Sequence, residues 1–181
     1  LRRSLPSVLQ QDHRNLQIIV VGDGCTDDTA RRIAEVRDSR VPFSPLSARG
    51  RYPVKRDWRW MVAGTSAMNA ALRLAEGDFV AHVDDDDECL PERISMLVSR
   101  AQQARADLVW HPFYWETARG DWRMNEATRF CLQSATTGSV LYHRWFSRIQ
   151  WDVNAYKCGE PGDWNRLRKC VYLGAEAVRE P

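Results

Sequence analysis

No apolar run in the sequence approaches the roughly 20 residues that a membrane-spanning helix needs. No stretch has the pattern of a secretory signal. Nor is there a Lys/Arg-rich block, and 26 basic against 24 acidic residues leave a formal net charge of only +2. No polyanionic partner is favoured on that balance, and nucleic acid is not expected. The five cysteines, Cys25, Cys89, Cys131, Cys158 and Cys170, are odd in number and include no C-x-x-C pair. Neither a disulfide framework nor a zinc site is indicated, and a reducing, cytoplasmic setting fits. Internal repeats and low-complexity segments are missing too. What is present is one domain's worth of chain: 181 residues, 44% hydrophobic and 28% charged, ordinary for a globular protein with a sizeable core. The chain begins at Leu1, in residues that read as the inside of a helix, and is expected to be a window cut from something longer.

The most informative stretch is Gly77–Arg93, GDFVAHVDDDDECLPER. A short apolar run, Phe79–Val83, ends abruptly in Asp84, Asp85, Asp86 and Asp87. In open α/β sheets ligands bind just beyond the carboxyl ends of the strands, where this cluster falls. In an extended backbone Asp84 and Asp86 point to one face, so an Asp-x-Asp clamp is available. Hard carboxylate oxygens at that spacing suit Mg²⁺ or Mn²⁺, which share a substrate's phosphates and keep waters. Four consecutive aspartates are otherwise a solvated acidic turn.

The rest of the chain follows α/β grammar. Leu1–Gln11 places Leu1, Leu5, Val8 and Leu9 on one helical face, with Pro6 discordant. Leu16–Val21 predicts a buried parallel strand. It leads into the loop Gly22–Thr29, where Thr26 or Asp27 can cap a helix over Asp28–Arg37. Val41–Leu46, with its prolines, predicts a short edge strand. Ser47–Ala63, rich in Arg, Lys and Trp without a clear period, predicts a loop whose Arg49, Arg51, Lys55 and Arg56 could face a phosphate, although a solvated basic loop is the commoner outcome. Thr65–Glu76 predicts a helix closed by Gly77, and Pro91–Gln103 another, with Pro91 in its first turn. Leu108–Glu116 and Asp121–Glu126 predict a hairpin, Thr137–Tyr142 a strand and Asp163–Cys170 a short helix. Val171–Glu180 shows no element.

Three blocks stand in one order: LPSVLQQDHRNLQIIVVGDGCTDDT, then MNAALRLAEGDFVAHVDDDDECLPERI, then GEPGDWNRLRK. Together they resemble the family 2 glycosyltransferases of the GT-A fold, an inverting group that uses nucleotide-sugar donors. The first two blocks carry the specific motifs and the third is weaker. The fold implied is α/β, a Rossmann-like three-layer GT-A domain with a mixed, mainly parallel sheet. One domain would fill residues 1–181, with a nucleotide-sugar-binding half over 1–90 and an acceptor-binding half over 91–181, cut short at the N-terminus and also at the C-terminus.

The resemblance also implies roles. Asp23 falls where the family's Asp contacts the nucleotide base. A carboxylate there accepts from the N3–H of uracil or thymine, which cytosine lacks, so a UDP or dTDP donor is favoured over CDP, and of these the UDP-sugar is preferred. Asp84 would touch the donor ribose. Asp86 would hold the Mn²⁺ or Mg²⁺ that bridges the diphosphate, supported by Asp87. Asp163 is carried over as the general base that deprotonates the acceptor hydroxyl during a single inverting displacement. Glu160 is the runner-up, because relatives often carry Glu-Asp adjacent where this chain reads Glu-Pro-Gly-Asp. Asn69 either shapes the nucleotide pocket or bonds back to a neighbouring loop.

Two departures stand out. The family's opening strand, with its Pro-x-Tyr/Phe-Asn pattern, is missing, and its place is between the strands of Leu16–Val21 and Phe79–Val83. In the loops, Gly22 replaces the first Asp of Asp-Asp-Gly, and Met68 stands where an Arg often precedes the Asn.

The acceptor implied is a glycan or lipid-linked hydroxyl. Peripheral membrane association is open through Arg166, Arg168 and Lys169, although a solvated helix face is the simpler reading. Trp110, Trp115, Trp122, Trp145, Trp151 and Trp164 could stack on an acceptor sugar, or pack in the core and rim. Two other functions stay open: a non-catalytic nucleotide- or glycan-binding module, and a sugar-nucleotide pyrophosphorylase.

Overall fold

A computed structural model describes residues 2–181. The elements are α1 (Ser4–Leu9), β1 (Val20–Gly22), α2 (Thr29–Ala34), β2 (Phe43–Pro45), α3 (Arg56–Val62), α4 (Thr65–Leu74), β3 (Phe79–Ala81), α5 (Arg93–Ala104), β4 (Leu108–Trp110), β5 (Phe113–Glu116), β6 (Trp122–Asn125), β7 (Val140–His143), α6 (Gly162–Tyr172) and β8 (Ala177–Arg179). They group into two compact units. One contains residues 2–14, 79–143 and 167–181, the other residues 15–78 and 144–166.

The first unit is built on a four-stranded sheet in the order β3-β7-β4-β8. β7 runs antiparallel to both β3 and β4, and β8 runs parallel to β4. The sheet is mixed, as expected, but not mainly parallel: the late strand β7 inserts between two earlier ones in the opposite direction. Leu97 and Ala101 of α5 pack against Val109 and Leu141, with Phe79, Ala81, Val98 and Val178 around them. These residues form the core that fixes β3 and the turn after it. Pro112 has no N–H, and the chain leaves the sheet there, so Leu108–Glu116 is not one strand. β5 pairs instead with β6 as a separate hairpin.

The second unit carries a parallel pair, β1 and β2. The run Leu16–Val21 yields only three residues of strand. Pro42, just ahead of β2, cannot donate, so the bond from Ile18 N–H to Arg40 O (3.1 Å) has no return bond. The pairing begins only at Val20, whose N–H donates to Pro42 O (3.3 Å), and ends with Leu46 N–H donating to Gly22 O (2.9 Å). Among the described residues β1 pairs only with β2, and β3 only with β7. Among the described residues no strand takes the place that the resemblance gives to the opening strand, and β1 and β3 belong to separate sheets.

Other boundaries moved for local reasons. Residues 47–63 are not all loop, because α3 forms at Arg56 and ends before Gly64, whose φ of 77° starts α4. α4 stops at Leu74, before Gly77, and α5 begins at Arg93 rather than Pro91. The carbonyl of Pro91 instead accepts from Asp12 N–H at 2.9 Å. Asp27 Oδ1 accepts from Thr29 N–H at 3.1 Å at the start of α2. β8 was not readable because three residues carry no period. Leu1, assigned to the apolar face of α1, lies outside the described residues.

Arg166 also departs from expectation. It is fully buried, donating from Nε to Ile149 O (2.9 Å) and from Nη2 to Phe146 O (2.8 Å), with its guanidinium 5.3 Å from the Trp151 ring centroid. A charge committed to carbonyls inside the protein cannot face a membrane, so that reading of Arg166 is withdrawn. Trp151 is likewise core, at 5% exposure, and Trp110 donates to Ala127 O (2.8 Å) while packing edge-on against Phe130. Trp115, Trp122 and Trp145 are exposed.

Arg93 is buried at the start of α5. Its Nε donates to His111 Nε2 (3.1 Å) and its Nη2 to Gly138 O (2.7 Å). His111 Nδ1–H donates to Pro112 O at 2.6 Å, so the ring is the neutral Nδ1 tautomer. Burial first, and the Arg93 charge second, push the His111 pKa down to about 4. Unfolded, it binds its proton near pH 6.5, so between these values the unfolded state holds more protons and stability falls as pH falls. The loss amounts to about 2 kcal/mol by pH 5. Denaturant unfolding at pH 7 and pH 5 should show this slope in the native chain and a flatter one in His111→Gln. An unchanged slope would mean that another group carries the acid sensitivity.

Candidate active site

The site residues divide between the two units. In the second, Asp23 follows β1 directly. Its Oδ1 accepts from Gly50 N–H (2.9 Å) and its Oδ2 from the Tyr52 hydroxyl (2.6 Å). The Tyr52 oxygen accepts in turn from Ser66 N–H at 3.3 Å. Burial first, and the bond to Asp23 second, raise the pKa of Tyr52 above its ordinary value, so it stays the donor. Gly24, with φ of +63°, is required twice over: the left-handed backbone favours it, and a Cβ there would collide with the backbone of Arg49. Asp23 is therefore held between two loops at a fixed angle, with lone pairs to spare for a further donor. Tyr52 and Gly50 went unrecognised in the sequence because they lie about thirty residues downstream in a segment without a motif.

Asn69 on α4 spends its amide on one backbone. Nδ2 donates to Trp151 O (3.0 Å) and Oδ1 accepts from Trp151 N–H (2.8 Å). This is the bonding to a neighbouring loop that was one of its two readings, and it pins the segment ahead of α6. In that segment Glu160 Oε2 accepts from Asn165 Nδ2 at 2.7 Å. Asp163, in the first turn of α6, accepts from Trp164 N–H at 2.7 Å. Both carboxylates are partly exposed and each is steadied by a short bond. Asn165, itself buried, was not singled out by the sequence.

In the first unit the acidic cluster is a turn, not a strand end. β3 stops at Ala81, and Asp87 N–H donates to Asp84 O at 3.2 Å. The alternation expected of an extended Asp84-Asp85-Asp86 therefore does not apply. Asp84 is partly exposed and Asp85 and Asp86 are exposed. Asp87 is exposed as a residue, yet its carboxylate leans on Gly138, where an added Cβ would lie 2.6 Å from Oδ2. Lost solvation first, and the Asp86 charge second, raise its pKa above the ordinary carboxylate value. Such a carboxylate suits a nearby cation. Among the described residues, however, no three His, Cys, Asp or Glu side chains are grouped to hold a metal. Hard oxygens of this kind fit Mg²⁺ or Mn²⁺ only if phosphate and water complete the coordination.

Two substitutions probe this geometry. Tyr52→Phe removes a hydrogen bond to a charged group and should cost about 1.5 kcal/mol in denaturant unfolding. A cost near zero would mean that Tyr52 does not restrain Asp23. Gly138→Ala should turn the Asp87 carboxylate away at little cost, under about 1 kcal/mol, because the clash falls on a side-chain end. A much larger loss would place the strain in the backbone instead.

Comparison with known proteins assigns the chain to a family. The model of glycosyl transferase family 2 matches residues 1–160, a span that takes in Asp23, the acidic turn and Glu160 and ends just before Asp163. The chain is 28% identical over 113 residues to the Escherichia coli UDP-Glc:alpha-D-GlcNAc-diphosphoundecaprenol beta-1,3-glucosyltransferase WfaP, covering 62% of this chain and 40% of that protein. It is 27% identical over 204 residues to Glycosyltransferase GlyA of Streptococcus pneumoniae, covering 98% of this chain and 27% of that one. The chain thus spans well under half the length of these curated relatives. The crystal structure of S. aureus TarS 1-349 in complex with UDP superposes with a TM-score of 0.75 at 18% identity, covering 99% of this chain and 53% of that one. That likeness establishes a shared mixed α/β, GT-A-like fold. By the extent of the family match, this chain belongs to glycosyl transferase family 2.

Proposed function

We propose that this chain is the nucleotide-sugar-binding and catalytic region of an inverting glycosyltransferase. It would move a sugar from a UDP-linked donor to a hydroxyl of a glycan or lipid-linked acceptor. One observation carries the reading: the family match spans residues 1–160, including both the Asp23 loop and the Asp84–Asp87 turn. The donor class draws support from a relative named for UDP-Glc and a structural neighbour solved with UDP. The acceptor draws support from that relative's diphosphoundecaprenol substrate.

In this proposal residues 1–90 bind the donor and residues 91–181 form the acceptor side. Asp23, oriented by Tyr52 and Gly50, accepts the N3–H of uracil. Asp84 receives the ribose hydroxyls. Asp86 and Asp87 hold Mn²⁺ or Mg²⁺, which when bound offsets the charge that gathers on the departing diphosphate. Asp163 removes the proton from the acceptor oxygen as it attacks the anomeric carbon from the face opposite the diphosphate. The configuration inverts in one displacement, and no enzyme nucleophile is required. Glu160, tied to Asn165, is the second candidate base. Asn69 acts indirectly, by holding the Trp151 segment that leads to both.

Thermal unfolding with UDP, dTDP, GDP or CDP, in Mn²⁺ or in chelator, tests the donor reading. A ligand of the folded state at about a hundred times its Kd stabilises by about 2.7 kcal/mol. UDP with Mn²⁺ should raise the midpoint, CDP should not, and Asp86→Asn should abolish the metal-dependent part. No shift with any nucleotide would favour a non-catalytic module.

For the chemistry, Asp163→Asn should keep UDP binding and lose turnover by about a hundredfold or more. If Glu160→Gln has that effect and Asp163→Asn does not, the base is Glu160.

A further inference from the structure

The charge of this chain is unevenly spread. Arg49, Arg51, Lys55, Arg56 and Arg59, against Asp57 alone, give residues 49–60 a net charge of +4, leaving −2 for the rest of a chain whose total is +2. All six of these charged residues are exposed. Within α3, Val62 is 1% exposed and anchors the buried face. Trp58 is also held, stacked on Tyr156 at 5.2 Å between centroids, with Lys55 Nζ 4.8 Å over its ring. Arg56, Arg59 and Trp60 stand at i, i+3 and i+4 and so share the opposite face. Trp60 is 75% exposed there, and Val54, just ahead of the helix, is 93% exposed.

We infer that this face of α3 docks on an anionic lipid surface. An indole and a valine left in water beside two guanidiniums match the two parts of such an interface. Trp side chains favour the headgroup layer, and Lys and Arg are drawn to the anionic lipids around it. A cavity of about 230 Å³ opens nearby, lined by Arg51, Tyr52, Pro53, Val153, Asn154 and Tyr156. Val54, Arg56, Arg59 and Trp60 do not line it, and none of these four belongs to the donor or acceptor machinery proposed above. The net positive charge is largest in this stretch, +4 against +3 over residues 164–175, where Arg166 is buried. Each Lys or Arg near an anionic bilayer is worth about fivefold in partitioning, so Arg56 and Arg59 together account for roughly twentyfold or more. The inference goes beyond the glycosyl-transfer reading and does not depend on it.

The test is co-sedimentation with vesicles of phosphatidylcholine alone, or of phosphatidylcholine and phosphatidylglycerol in equal parts, at about 50 and about 500 mM salt. The native chain should bind only the vesicles containing phosphatidylglycerol, and less at high salt. The double variant Arg56→Gln/Arg59→Gln should weaken binding roughly twentyfold, and Trp60→Ser about fivefold, with unfolding midpoints unchanged. Arg31→Gln/Arg32→Gln, which removes the same formal charge from α2, where both side chains are paired with Asp28 or Glu35, should bind like the native chain.

Equal binding to both vesicle types, or to neither, would overturn the inference. So would an Arg31/Arg32 control that weakens binding as much as the Arg56/Arg59 pair, since bulk charge would then be responsible. A dimer that dissociates in Trp60→Ser would give this face to a second copy of the chain.

Discussion

A buried guanidinium organises the unit that carries the acidic turn. Taking a positive charge out of water costs several kcal/mol unless hydrogen bonds replace the lost solvation. Arg93 recovers that cost from His111 Nε2, Gly138 O and Cys89 Sγ, with Val140 O at a longer 3.5 Å. The partners lie on three segments: the turn after β3, the kink between β4 and β5, and the entry to β7. Satisfying one side chain therefore sets the distance between all three. It fixes the His111 tautomer and holds Gly138 where its missing side chain leaves room for the Asp87 carboxylate. The Arg93 charge also partly offsets the burial and the Asp86 repulsion that raise the Asp87 pKa.

The second unit uses the same device with different residues. Arg166 is buried and tied to the carbonyls of Phe146 and Ile149, so the chain before α6 is held to the helix itself. Asn69 adds a paired bond to the backbone of Trp151, bringing α4 into the same arrangement. Glu160 and Asp163 stand on the segment that these bonds restrain. Asp23 is handled likewise, through Tyr52 and Gly50. Asp23 is thus steadied by donors from a segment with no motif of its own, whereas Glu160 and Asp163 accept from Asn165 and Trp164 within one short block.

Much of the fold was legible because periodicity and punctuation are local. α4, α5 and the strand of Phe79–Ala81 stood out from apolar spacing and glycine boundaries, and the β5–β6 hairpin from its Gly120 turn. The misses have physical causes. α3 has seven residues, with aromatics on both its buried and exposed faces, so no apolar stripe marked it. β8 is an edge strand too short to show alternation. The proportion of parallel pairing was misjudged because the direction and place of β7 depend on contacts with β3 and β4, about sixty and thirty residues away. Arg166 looked like part of a basic surface because composition cannot tell a solvated guanidinium from one bonded to buried carbonyls.

The sequence alone pointed to the family and to the order of the acidic motifs, because these are properties of residue type and spacing. It also led to the expectation that carboxylates, rather than thiols or imidazoles, carry the metal and proton chemistry. Tertiary structure decided how those carboxylates are held: that Asp84–Asp87 forms a turn, that Asp23 is clasped by Tyr52 and Gly50, that Asp87 rests on Gly138, and that Asn69 serves a backbone. It also decided which cations are buried and which are left to solvent. These outcomes depend on hydrogen bonds between residues tens of positions apart, and spacing along a chain holds no record of such contacts until the chain has folded.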